Sequence, residues 1–247
     1  MAVRIFLHAW RMIFSNFGAV VKLSMPIILV ILVAIVAFAG FLRSNQLMAV
    51  DVRPQAIGII FLLVIAYLLA FVWTAVAWHR YVLLAEYPNA ILPPFRGGRI
   101  LSYIGYAVLL GLIMSIVGAL GMAMIYGVSS VLGTDVIAFI LGVVFVGFLI
   151  IASFRLGIVL PAAAIGEPLA MGAAWDATRP LVKTLIGLLG LLILFGFALG
   201  IATAVAEALS PVFGMVVNLL LTWLQSILNL SILTTLYGVA VQGRDID

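Results

Sequence analysis

The chain is predicted to be an all-α integral membrane protein: six transmembrane helices with interfacial amphipathic helices, forming one domain over 1–247. Three observations predict this. Apolar residues make up 67% of the chain and mean hydropathy is +1.40. Only 12 basic and 8 acidic residues occur in 247, too few to build the polar shell of a water-soluble domain. The apolar runs are long and continuous, without the period-two alternation of a membrane barrel. Disorder is excluded by the same composition.

A hydrocarbon layer about 30 Å thick needs about 20 apolar residues per helix, and six stretches qualify. The first covers 19–42, through Met25, Pro26 and the run Ile27 to Phe38. The second covers 55–79 and closes on Trp78-His79-Arg80. The third and fourth cover 100–129 and 136–160. The fifth and sixth cover 181–206 and 211–237. Residues 1–24 carry three cations, and Ala37-Phe38-Ala39 has the form of a cleavage site. The run before it is nevertheless long enough to span, so the segment is expected to be retained.

Orientation follows from Lys and Arg beside the spans. The termini and even-numbered gaps hold Arg4, Arg11, Lys22, Arg80, Arg96, Arg99, Arg155, Arg179, Lys183 and Arg244, whereas the other gaps hold only Arg43 and Arg53. Both termini are therefore expected in the cytoplasm, with the chain in a bacterial inner membrane. The net charge of +4 reflects this bias, and no clustered basic patch suggests nucleic acid as a partner.

The layout suggests three parallel helical-hairpin repeats, 1–85, 86–165 and 166–247. Each opens with a basic interfacial segment: Ala9-Trp10-Arg11, Pro94-Phe95-Arg96 and Ala174-Trp175 leading to Arg179. Each turns near an acid: Asp51, Asp135 and Glu207. In residues 2–16 a helix gathers Phe6, Trp10, Ile13 and Phe14 on one side and Arg4, His8, Arg11 and Ser15 on the other, the pattern of a helix lying at a membrane surface. Residues 168–178 read as a second such segment. Pro168 suits its first turn, and Asp176 and Arg179 are spaced to pair.

The sixth span carries the most informative polar pattern. Asn218, Thr222, Gln225 and Asn229 are spaced 4, 3, 4 and fall within about 60° of one another on a helix. Amides in hydrocarbon need partners, so the stripe faces protein or a wet path. It either bonds neighbouring helices or lines a route for a solute or lipid headgroup. Small residues recur every four positions at Ala107, Gly111, Ser115, Ala119, Ala123 and Gly127, and again at Gly196, Gly200, Ala204 and Ala208. That spacing predicts close helix packing. Arg155 sits in apolar surroundings and must snorkel or pair, with Glu167, Asp176 and Glu86 as candidate partners. His79 and Arg80 read as an interfacial anchor, with headgroup contact as the alternative.

Enzyme templates find little support. There are no cysteines and only two histidines, and no metal-binding, phosphate-loop or nucleophile-elbow motif occurs. No metal or cofactor is expected. All eight acids fall at span ends or in loops, which argues against a proton pump.

The stretch Arg155-Leu-Gly-Ile-Val-Leu-Pro161-Ala-Ala-Ala-Ile-Gly166-Glu167, followed by Ala174-Trp175-Asp-Ala-Thr178-Arg179, resembles a bacterial six-helix membrane family. That family includes YciC-like proteins and the membrane domain attached to some glycerophosphodiester phosphodiesterases. The resemblance implies an all-helical inner-membrane domain and supplies no catalytic residue, because the phosphodiesterase chemistry belongs to a separate soluble domain. The expected function is therefore non-enzymatic: a binding, scaffold or assembly role beside membrane lipids, another membrane protein or a second copy. A transporter or channel for a lipid or small polar solute, lined by the sixth-span stripe, is the alternative. A headgroup enzyme using His79, Arg155 and Glu167 ranks third.

Overall fold

The structure, a computed structural model, describes residues 1–43 and 54–246. Asp51 and Arg53 lie outside the described residues. Among those described, the chain is helical throughout and has no strand. The helices are α1 (Ala2–Ser15), α2 (Phe17–Leu23), α3 (Met25–Arg43), α4 (Pro54–Leu84), α5 (Gly97–Leu132), α6 (Asp135–Gly157), α7 (Val159–Ile165), α8 (Met171–Ala177), α9 (Val182–Leu209) and α10 (Pro211–Ala240). Five helices are long and apolar enough to cross a membrane: α4, α5, α6 continued by α7, α9 with the preceding turn, and α10.

The first expected span departs from a single straight helix. α2 and α3 meet at a 59° bend around Ser24, two residues before Pro26. Proline lacks an N–H and its ring crowds the carbonyl four residues back, here that of Lys22. The same rule breaks the fourth span. Pro161 crowds the carbonyl of Gly157, where α6 ends, and α7 restarts at Val159. The second span runs past its expected end through Leu84, so Trp78 and His79 lie inside a helix, fully buried.

Turn chemistry follows the sequence closely. Gly133 closes α5 in the left-handed region (φ 65°), and Asp135 opens α6 with a carboxylate where the helix dipole favours one. Gly166 closes α7 at φ 94°, and the N–H groups of Gly166 and Glu167 both donate to the Ala162 carbonyl. Ser210 caps α10 through Phe213 N, with Pro211 at the first helical position.

The core sits at one end of the bundle. Buried residues cluster where α4, α6 and α10 finish, where α5 and α9 begin, and in α1 and α7. Both chain termini lie at this packed end. Ala2 approaches Gly187 of α9, and Arg244 donates to the carbonyls of Leu83 (3.0 Å) and Val82 (3.5 Å) at the end of α4. Towards the other end burial is sparse, with Ala206 and Gly214 buried at the α9–α10 turn. α9 has no buried residue between Leu188 and Ala206, and α6 has none before Ala152. There the helices splay, and their exposed Leu, Ile, Val and Phe side chains form an extended apolar surface.

α1 presents three faces rather than two. Ile5, Ala9 and Ile13 are fully buried against α9 and α10. Val3, Leu7 and Phe14 form an exposed apolar stripe, and Arg4, Arg11 and Ser15 are exposed on the polar side. Ile13 thus belongs to the buried stripe and not to the aromatic side expected from sequence. Aromatic contacts fix α1 and the start of α2 in place: Phe6 and Trp10 of α1 each meet Phe195 edge-on at 5.6 Å, and Phe17 of α2 meets Trp223 at 6.2 Å.

The small-residue stripes do not make the close helix contacts. Gly111, Ser115, Ala119, Ala123 and Gly127 are exposed along α5, and Gly196 and Gly200 have no neighbouring atom where a Cβ would stand. Close approach occurs at other glycines. The Phe145 ring of α6 occupies the Cβ position of Gly121, and Glu207 occupies that of Gly214 at the α9–α10 turn. Spacing by four marks a smooth ridge, but a large aromatic needs only a single notch.

Candidate functional site

The stripe on α10 faces three adjoining clefts. The first, about 470 Å³, lies at the splayed end and is lined by Glu207, Pro211, Met215, Asn218 and Leu219. The second, about 450 Å³, shares Met215, Asn218 and Leu219 with the first. It continues past Thr222, Trp223 and Ser226 between α3, α4 and α10. The third, about 580 Å³, shares Ser226 with the second and reaches Asn229, Ser153 and Tyr103 between α5, α6, α9 and α10. The polar groups therefore form a line from Glu207 to Tyr103, set in otherwise apolar walls.

The stripe is wired along its own helix. The Thr222 hydroxyl donates to Asn218 Oδ1 (3.3 Å), and the Ser226 hydroxyl to the Thr222 carbonyl (2.8 Å). Among the described residues, no side chain of Asn218, Thr222, Gln225 or Asn229 bonds another helix. Asn218, Thr222 and Asn229 are exposed. Gln225 is half-buried and lines none of the three clefts. Ser226 takes its place, a residue that i+4 spacing from Asn218 through Thr222 picks out. Ser153 and Tyr103 come from other helices, and no spacing rule on one helix finds them.

His79 lies beneath the third cleft. Its ring stacks on Tyr103 at 5.9 Å, and Nδ1 is 2.7 Å from Thr234 Oγ1. The Thr234 hydroxyl has one hydrogen and donates it to the Leu230 carbonyl at 2.7 Å. Nδ1 must therefore carry the imidazole proton and donate it to Thr234, which leaves Nε2 as an acceptor. Nε2 is buried without a partner among the described residues. At 0% exposure, His79 is out of reach of a headgroup.

The other polar residues singled out from sequence hold the packed end together. Arg80 pairs with Glu86 (2.5 Å) and donates to the Ala164 carbonyl (3.2 Å), while Arg96 grips the same carboxylate from the loop side (2.6 Å). Burial alone would raise the Glu86 carboxyl. The hydrogen bonds from Arg96 and Arg80, with their charges, outweigh it and hold the group below its ordinary value. Glu167 accepts from the Tyr237 hydroxyl at 3.4 Å.

Arg155 is not paired with Glu167, Asp176 or Glu86. It donates through Nη2 to the Trp175 carbonyl (2.5 Å) and through Nε to Thr178 Oγ1 (3.2 Å), and its guanidinium lies 3.4 Å above the Trp175 ring. A cation at the carbonyl end of α8 caps that helix. Asp176 and Arg179 form no ion pair with each other, and α8 starts at Met171, beyond Pro168. Among the described residues no three His, Asp or Glu side chains converge as a metal site would require.

No protein-family model matches the chain, and neither curated proteins nor solved structures include a match.

Proposed function

We propose that the chain is a non-enzymatic protein of the bacterial inner membrane that binds a membrane-dissolved amphiphile, a lipid in the broad sense, in the clefts along α10. One observation carries this reading: Asn218, Thr222 and Asn229 face open, apolar-walled clefts without a hydrogen bond to another helix. Amides at hydrocarbon depth gain most from a partner that brings its own polar group. The excess of basic residues on the elements of the packed end favours a cytoplasmic position for that end and for both termini. On this reading the bent α2–α3 pair supplies the sixth span. α1, with one polar and one outward apolar face, rides at the interface. The pairs α3–α4, α5–α6 and α9–α10 are three hairpins joined at their inner ends.

Native mass spectrometry of protein purified in mild detergent tests the reading. The parent should retain a lipid-sized adduct, and a variant combining Asn218→Leu with Asn229→Leu should lose it while keeping its helix content. A parent free of adduct under conditions that preserve its fold refutes the reading.

A second reading, transport of a lipid or small polar solute, is favoured by the shared residues of the three clefts, which make the polar line continuous from the splayed end to Tyr103. Leu at Asn218 and Asn229 with Val at Thr222 should then abolish flux into liposomes while the fold survives. Unchanged flux, or none through the parent, excludes it.

A further inference from the structure

The chemistry of the innermost cleft specifies a narrower ligand class, an inference that rests on the amphiphile-binding reading above. No Lys, Arg, Asp, Glu or His lines the second or third cleft among the described residues. The polar groups of the third cleft are one amide and three hydroxyls, Asn229, Ser153, Ser226 and Tyr103. Of these, only the Ser226 hydroxyl has a protein acceptor; Asn229 and Ser153 bond nothing else among the described residues. The remaining walls are apolar, and about 580 Å³ falls within the range of about 300–1,000 Å³ of small-molecule sites.

The lining removes charged candidates. Asn229, Ser153, Ser226 and Tyr103 are all neutral, and among the described residues no charged side chain lines the cleft beside them. A phosphate or ammonium drawn into the cleft would be desolvated with no counter-charge to meet it. A neutral hydroxyl loses far less, and the Asn229 amide offers both a donor and an acceptor for it.

We propose that the third cleft binds a neutral, single-headed amphiphile: a long-chain alcohol whose hydroxyl meets Asn229 and Ser153 while its chain lies along the α6 and α9 walls. The probe is a diazirine-bearing long-chain alcohol, compared with a phosphatidic acid carrying the same diazirine chain, both used on the full chain in nanodiscs. The alcohol should label peptides of α6, α9 and α10, unlabelled alcohol should displace it, and phosphatidic acid should leave these peptides unlabelled. Asn229→Leu should lower labelling by about threefold to tenfold, the loss of one hydrogen bond. Leu192→Trp, which fills the cleft without touching its polar groups, should lower it as well. Equal labelling by phosphatidic acid overturns the neutral-ligand inference and leaves amphiphile binding standing. Absence of cleft labelling by either probe overturns both.

Discussion

Replacing Arg155 by Lys keeps the charge and removes the planar fork, which makes it a sharp test of how α8 is held. In the native chain one guanidinium does three things at once. It donates to the Trp175 carbonyl and to Thr178 Oγ1, and it stacks 3.4 Å above the Trp175 ring. A hydrogen bond from a charged donor contributes about 1.5–3 kcal/mol, and a largely desolvated cation–π contact contributes up to about 2 kcal/mol. A lysine ammonium is a compact charge that reaches one acceptor from this position and does not stack flat. Losing one bond and most of the stacking should cost about 2–4 kcal/mol. Since each 1.4 kcal/mol is about tenfold, amide exchange in Met171–Ala177 should accelerate by between about 30-fold and 700-fold. α5 and α10 should exchange as before. Arg155→Leu should free α8 as well, yet cost no more in overall stability than Lys, because Leu leaves no buried charge behind. Unchanged exchange of α8 in the Lys variant would refute the reasoning and show that burial of Ala174 and Thr178 alone docks the helix.

Three further outcomes follow from the geometry. Thr234→Val removes the acceptor of the His79 Nδ1 proton inside the core and should destabilise the chain by about 1–3 kcal/mol, read as a lower midpoint in detergent unfolding; an unchanged midpoint would contradict a stabilising His79–Thr234 hydrogen bond. Gly121→Ala places a Cβ in the space of the Phe145 ring and should loosen the α5–α6 pair, with Phe145→Leu in the same chain restoring stability. Without that rescue, the notch is not the contact. Glu86 contributes stability that is complete above the ordinary carboxylate range and is lost as pH falls through its depressed folded value. Proteolysis of the 85–96 loop should therefore rise on acidification, and Glu86→Gln should make it high at neutral pH and insensitive to acid. Because Arg96 is 51% exposed, the effect should stay near about 1 kcal/mol.

Five of the six expected spans are legible as long apolar helices, because a helix that crosses a bilayer needs a minimum apolar length. Their breaks were legible only in part: Pro26 and Pro161 were visible, but a proline in a membrane helix either kinks or is absorbed, and packing around Ser24 and Gly157 decides. The α10 stripe was readable from spacing alone, since an amide in hydrocarbon is conspicuous. Its surroundings were not, because Ser153 and Tyr103 come from distant helices. Arg155 misled in an instructive way. Its expected partners were carboxylates, since sequence displays acids, whereas its actual acceptors include a backbone carbonyl, which every residue carries. His79 was placed at an interface by its neighbours in the chain, and only the contact with Thr234, 155 positions away, explains why it is buried.

The clefts have a mechanical consequence. Where helices touch, their separation is set by side-chain packing, as at Gly121 and Phe145. Along the open clefts of about 450 and 580 Å³, a chain that spans a membrane would have its helix separation set by what fills the space and by the stiffness of the packed base. Membrane tension and thickness then enter the free energy of cleft width directly, as a spring constant enters the opening of a pair of tongs. The same sequence should hold its clefts at different widths in thin and thick bilayers.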